Sequence, residues 1–158
     1  MTWTTIRFAL AAATLGAAPQ IALGQQAGPT AGQAPTGPAQ IEARQSAGFG
    51  SYLAEGGRAL YMFTADPKGS SGCYDACAQA WPPVLTQGQP SAGQGVDKSK
   101  LGTIQRKDGA MQVTYNGMPL YLFVKDQSAG STAGQEIHGF GGEWYLVSPS
   151  GEKIEKKR

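Results

Sequence analysis

Two aspartates stand in matching surroundings, Asp66 closing Leu60-Tyr61-Met62-Phe63-Thr64-Ala65-Asp66 and Asp126 closing Leu120-Tyr121-Leu122-Phe123-Val124-Lys125-Asp126. If they faced one another, these carboxylates could serve as the acid and base of a cryptic hydrolase, or as oxygen ligands for a metal. No nucleophile or base lies beside either in sequence, and duplication alone explains their recurrence. The expected role is local. Each carboxylate sits where a strand-like run gives way to Pro67-Lys68-Gly69-Ser70 or Gln127-Ser128-Ala129-Gly130, and there it can accept backbone N–H bonds and set the turn. No catalytic residue is assigned, and the chain is expected not to be an enzyme.

The sulfur chemistry rests on two cysteines, Cys73 and Cys77, in Gly72-Cys73-Tyr74-Asp75-Ala76-Cys77. In an oxidising compartment their default state is one intramolecular disulfide. As thiolates, joined by the only histidine, His138, they would suit Cu(I) or Zn(II), which makes a periplasmic copper- or zinc-binding protein the competing reading. That reading requires thiols kept reduced, so no cofactor is expected. His138 lies in the glycine-rich run 134–142, whose glycines permit close approach of another backbone or of a ligand. No phosphate-cradling or dinucleotide-binding motif is present.

Strands must position these groups. Short β-like runs recur with turn signals between them, which gives an all-β fold class: two tandem related units of antiparallel hairpins in one small domain. Residues 51–54 and 58–63 flank Glu55-Gly56-Gly57. Residues 103–106 and 111–115 flank a turn containing Asp108-Gly109. Asn116-Gly117 then leads into 119–124, and 143–148 and 152–154 flank Pro149-Ser150-Gly151. A turn or two of helix is expected around 74–80. Alternation along a strand points Tyr61 and Phe63 one way and Leu60, Met62 and Thr64 the other, and Tyr121 and Phe123 repeat the arrangement. The paired rings read as core anchors, with an exposed ligand platform as the alternative.

The two octamers align without gaps as Leu-Tyr-x-Phe-x-x-Asp, an aromatic stands upstream of each (Tyr52 and Tyr115), and Trp-x-x-Val recurs at Trp81/Val84 and Trp144/Val147. With the Cys-x-x-x-Cys-Ala segment, Trp81-Pro82-Pro83 and residues 139–149 (GFGGEWYLVSP), the chain resembles a bacterial family of secreted repeats carrying a Tyr-x4-Asp (Yx(FWY)xxD) motif. Its members are described as predicted lipoproteins of unknown function. The resemblance runs from about residue 50 to residue 151 and implies an identity, not a mechanism. It departs from the family in one respect: no cysteine follows the N-terminal apolar run, so no lipid anchor is expected.

That N-terminus has one cation, Arg7, then an apolar run over 8–18 interrupted by Pro19-Gln20. The run is shorter than the roughly 20 residues of a spanning helix and has the anatomy of a signal peptide. Residues 1–24 are read as the signal, 25–47 as a flexible Gln/Ala/Gly/Pro-rich leader, and 48–155 as the duplicated domain, with repeat one over about 48–96 and repeat two over about 102–155. Location is therefore periplasmic or secreted, with no integral membrane segment in the mature chain. The net charge of +2 gives no reason to expect nucleic acid, and the basic tail from Lys153 to Arg158 is interleaved with Glu152 and Glu155. The leading functional expectation is a non-catalytic binding or structural protein of the envelope, its ligand or partner unidentified, with a homodimer left open by unpaired β edges. An intact mass of the exported protein should start at Gln25 and show a two-hydrogen deficit with no alkylation; two alkylatable thiols would overturn the disulfide.

Overall fold

The computed structural model describes residues 35–156. The segment read as a signal peptide, residues 1–24, and residues 25–34 of the expected leader lie outside them. Ten strands and one short helix follow in the order β1 Gln40–Ser46, β2 Gly50–Glu55, β3 Arg58–Ala59, β4 Tyr61–Phe63, α1 Ala76–Ala80, β5 Ser91–Ala92, β6 Leu101–Gln105, β7 Met111–Tyr115, β8 Met118–Pro119, β9 Ile137–Gly139 and β10 Gly142–Leu146. The strand-dominated class is as expected, and α1 falls within the helical turn expected near Tyr74.

Each repeat builds the same three-strand unit, β1-β2-β3 in the first and β6-β7-β8 in the second, with β5 adding parallel to β1. The tight turns match as well. Gly56 and Gly57 have φ of 54° and 81°, and Asn116 and Gly117 have 51° and 81°. Two successive positive φ values define the type I′ turn, which suits the twist of a hairpin and which Gly and Asn adopt most readily.

After those turns the chain does not stay with its own hairpin. The run 58–63 breaks at Leu60: β3 pairs with β2, whereas β4 pairs antiparallel with β10 of the other repeat. In the second repeat β8 pairs with β7, and Leu122 and Val124 then donate to the carbonyls of Pro82 and Ala80 in the first. Tyr61 and Tyr121 sit opposite one another and exchange N–H···O bonds, both 2.9 Å. The Trp-x-x-Val arms are also exchanged. Val147 accepts from Leu53 (2.8 Å) and donates to Leu60 (3.2 Å), while Val84 accepts from Val113 (2.8 Å) and donates to Leu120 (3.0 Å). The repeats are interlocked, each finishing the other's sheet.

Strand alternation sorts the core into two layers. Tyr61, Phe63, Tyr121, Phe123, Trp81, Trp144 and both cysteines form one; Leu53, Leu60, Val113, Leu120, Val84 and Val147 form the other, with Met62 packed against it. Two expectations need correction. Residues 40–46 are not flexible leader: they form β1, paired with β2 over Ile41↔Glu55 to Ser46↔Gly50, with Ile41 fully buried. Leader composition argued against order, but the edge of β2 supplies the hydrogen bonds and the second core layer receives the single large aliphatic side chain. Nor are Tyr52 and Tyr115 equivalent. The bonds Leu60 N–H to Leu53 and Leu120 N–H to Val113 set Tyr52 against Gln112, so Tyr52 and Tyr115 fall in different core layers. Ile41→Ala should lower the unfolding free energy by about 2–5 kcal/mol, read from the denaturant midpoint; an unchanged midpoint would remove β1 from the cooperative unit.

Candidate functional site: reciprocal tyrosine–aspartate pairs

The Tyr-x4-Asp motif closes across the repeats. Tyr61, on β4, donates its hydroxyl to Asp126 Oδ2 at 2.5 Å, and Tyr121 donates to Asp66 Oδ2. The other carboxylate oxygen in each case holds the loop that follows its own strand. Asp66 Oδ1 accepts from Gly72 N–H at 2.7 Å; Asp126 Oδ1 accepts from Ala133 N–H and Ser131 Oγ, both at 2.8 Å. Both aspartates are buried. A buried carboxylate is tolerated where its lone pairs are met, and hydrogen bonds to an ionised group are the strong kind.

Burial, then the hydrogen bond to the carboxylate, raises the Tyr61 and Tyr121 hydroxyls well above the ordinary phenol range. They stay protonated as donors. Burial likewise raises Asp66 above its ordinary value of 3.8, opposed by the Tyr121 hydroxyl, the Gly72 N–H and the charge of Arg106. A carboxylate raised in the folded state favours folding below the unfolded value and loses that contribution as pH rises through the folded one. Acidification therefore does not break the fold by titrating Asp66. Glu55, opposite Arg58 at the β2–β3 turn, is raised by desolvation to about 6 against the pull of Arg58.

Around these pairs the rings form a stack in the order Phe63, Trp144, Trp81, Phe123, with centroids 4.2, 4.0 and 4.2 Å apart. Rings from the two repeats alternate along it. Tyr61 meets Trp81 edge-on at 5.3 Å and Tyr121 meets Trp144 at 5.2 Å. Such pairs contribute about 0.5–1.5 kcal/mol each beyond the area they bury. All six are buried, so the rings are core and present no exposed platform. The glycine-rich run serves this packing: a Cβ on Gly134 would stand 2.8 Å from Trp81 and from Tyr61, and one on Gly142 would stand 2.7 Å from Phe63. The close approach those glycines permit is to the aromatic stack. The Trp144 indole Nε1 is the single buried side-chain polar atom without a partner among the described residues.

Sequence reasoning missed Arg106 and Gln112. Gln112 occupies the position held by Tyr52 in repeat one. The buried Arg106 guanidinium donates to Gln112 Oε1 (2.7 Å), Ser71 Oγ (2.8 Å) and the Cys73 carbonyl (2.7 Å), and lies 4.4 Å over the Tyr74 ring. Ser71 Oγ is 2.7 Å from the Tyr121 hydroxyl, so the network runs from Arg106 to Asp66. A polar residue where the other repeat has an aromatic was the available signal.

The predicted metal trio is not assembled. Cys73 and Cys77 are joined to each other, with Cα atoms 5.2 Å apart, and are buried, Cys77 within α1 and Cys73 just before it; the exposed His138 lies on β9 opposite Glu143. Among the described residues no three His, Cys, Asp or Glu side chains form a metal-holding group. Both oxygens of Asp66 and of Asp126 accept hydrogen bonds, one from the opposite repeat's tyrosine and one from the loop that follows.

The sequence profile of a family described as a secreted repeat of unknown function matches the chain twice, over residues 51–85 and 102–148, more than half of its length. The chain belongs to this family of secreted repeats. Each match spans the hairpin with the type I′ turn (β2–β3 or β7–β8), one Tyr-x4-Asp segment and one Trp-x-x-Val arm. No curated protein and no solved structure matches the chain. No helix among the described residues is long and apolar enough to cross a membrane.

A double-mutant cycle tests the cross-repeat bond. Tyr61→Phe leaves Asp126 Oδ2 without its donor and should cost about 1–3 kcal/mol of stability; Tyr61→Phe with Asp126→Asn should cost less than the two singles summed. Additive effects would mean the pair does not couple the repeats.

Proposed function

We propose that this is an exported envelope protein whose duplicated domain acts by binding or structural support and not by catalysis. One observation carries the reading: the motif residues Tyr61, Asp66, Tyr121 and Asp126 are buried and bonded to one another across the repeats, and the second oxygen of each carboxylate holds the loop that follows it, which gives all four a role in packing. The Cys73–Cys77 bond supports it further. It lies inside the aromatic layer and closes a short ring, a constraint for which chain entropy allows about 2 kcal/mol. Membership in a secreted family, and an N-terminal segment with signal-peptide anatomy, support action outside the cytoplasm; the absent lipobox cysteine favours a periplasmic or secreted form without a lipid anchor.

The test compares the native chain with Asp66→Asn and Asp126→Asn on ester, phosphoester and glycoside substrates, with near-UV circular dichroism to establish folding. The expected result is no turnover by the native chain and a lowered melting temperature in the variants. Turnover that Asp66→Asn or Asp126→Asn abolishes while the fold is retained would overturn the proposal.

A further inference from the structure

We infer that the surface each repeat presents to the other also fits a second copy of this chain, so that two molecules can exchange repeats and form a closed dimer. In such a dimer repeat one of one molecule completes repeat two of its partner, twice over. The inference is independent of whether the domain catalyses anything.

Every contact that closes the monomer is a contact between repeats: the Tyr61–Tyr121 bridge, both Tyr–Asp pairs, the alternating ring stack and both exchanged Val arms. None requires that the two repeats belong to one chain. A reciprocal exchange keeps the full set, so the closed monomer and the exchanged dimer differ only in the segment that joins the units. That segment is short. Gln94 still accepts from Ala43 of β1, and Asp97 N–H already donates to the Tyr115 hydroxyl on β7 at 3.1 Å, so only residues 95 and 96 cross between the units. Gly95 within it has φ of 76°, and a Cβ built on it would stand 2.8 Å from Ala43 Cβ. A short and tightly held connection is the kind that favours exchange, because opening it relieves local constraint.

The partner is specified as repeat two and not as another repeat one. Arg106 and Gln112 belong to repeat two, and Arg106 binds Ser71 and the Cys73 carbonyl of repeat one. Two copies of repeat one would set Tyr52 where Gln112 stands and leave Ser71 and the Cys73 carbonyl without the guanidinium. Pairing of unlike repeats satisfies these buried groups, and in an exchanged dimer the unlike repeat comes from the second molecule. Intramolecular closure wins in dilute solution; exchange competes as chain concentration approaches the effective concentration set by the connection, on the order of millimolar.

The exposed pair Thr64 and Glu143 reports which chain supplies each repeat, because Thr64 N–H donates to the Glu143 carbonyl across the repeats at 3.0 Å. Thr64→Cys and Glu143→Cys are made in separate full-length chains, unfolded together in urea with the Cys73–Cys77 bond intact, and refolded at high and at low concentration before mild oxidation. The expected result is a cross-linked heterodimer, several-fold more abundant than the dimers of either variant alone, at high concentration only. The chain carrying both substitutions should close the bond within a monomer when refolded dilute. Sedimentation of the unmodified chain, refolded at the same two concentrations, gives a reading free of engineered thiols. A heterodimer no more abundant than the single-variant dimers, or an unmodified chain that sediments as monomer at both concentrations, would overturn the inference.

Discussion

A phenol and a carboxylate withdrawn from water must each find a hydrogen-bond partner or leave a polar group stranded in the core, and here each finds the other across the repeats. Tyr61 and Asp66 belong to one repeat, yet each is answered by the other repeat, at Asp126 and Tyr121. The chain must bring both repeats together before either tyrosine or either aspartate is satisfied. From that requirement follow the break at Leu60, the pairing of β4 with β10, the exchange of the Trp-x-x-Val arms and the alternation of rings in the stack. The carboxylates add the second half of the constraint. Through Oδ1 each also holds the loop that follows it, so the motif ties strand, loop and opposite repeat at one point.

Duplication supplied two equal scaffolds, and the structure shows where they ceased to be equal. Between Asp66 and Trp81 the first repeat carries the disulfide and α1; between Asp126 and Trp144 the second carries the glycine-rich run and β9. Both inserts lie at the same place in the unit and both end by delivering a tryptophan into the stack. They are stiffened differently. One is closed by a covalent ring and capped from the far repeat by Arg106, the other by backbone packed so near the rings that a Cβ at Gly134 or Gly142 has no room. The exchange of Tyr52 for Gln112 is the matching change in the hairpin that receives the disulfide segment. It replaces an apolar core contact by an acceptor for a buried guanidinium, which must be hydrogen-bonded once it is out of water.

This arrangement gives the motif residues an architectural role, joining the two repeats. In this domain burial pushes the phenols away from ionisation, and each carboxylate binds the opposite repeat's tyrosine through one oxygen and its own loop through the other, so these groups define which strands meet and in what register.

Local sequence determined the hairpins, because Asp-Gly, Asn-Gly and Gly-Gly admit few backbone paths, and it determined the facing of Tyr61 and Phe63 against Leu60 and Met62, because strand alternation is a property of the backbone. It also determined the duplication, through the two octamers and the two Trp-x-x-Val arms, and the pairing of its only two cysteines. Tertiary structure alone decided which repeat each motif serves, since a Tyr-x4-Asp segment reads the same whether its hydroxyl bonds inward or across. It decided that β1 is ordered, since a mostly polar run becomes a strand only where β2 offers an edge and the core offers Ile41 a place. It decided the role of Arg106, whose partners Ser71 and Cys73 lie more than thirty residues away in the chain. Periodicity and turn chemistry act over a few residues and are written in the sequence; the pairing of buried polar groups is settled only when distant segments meet.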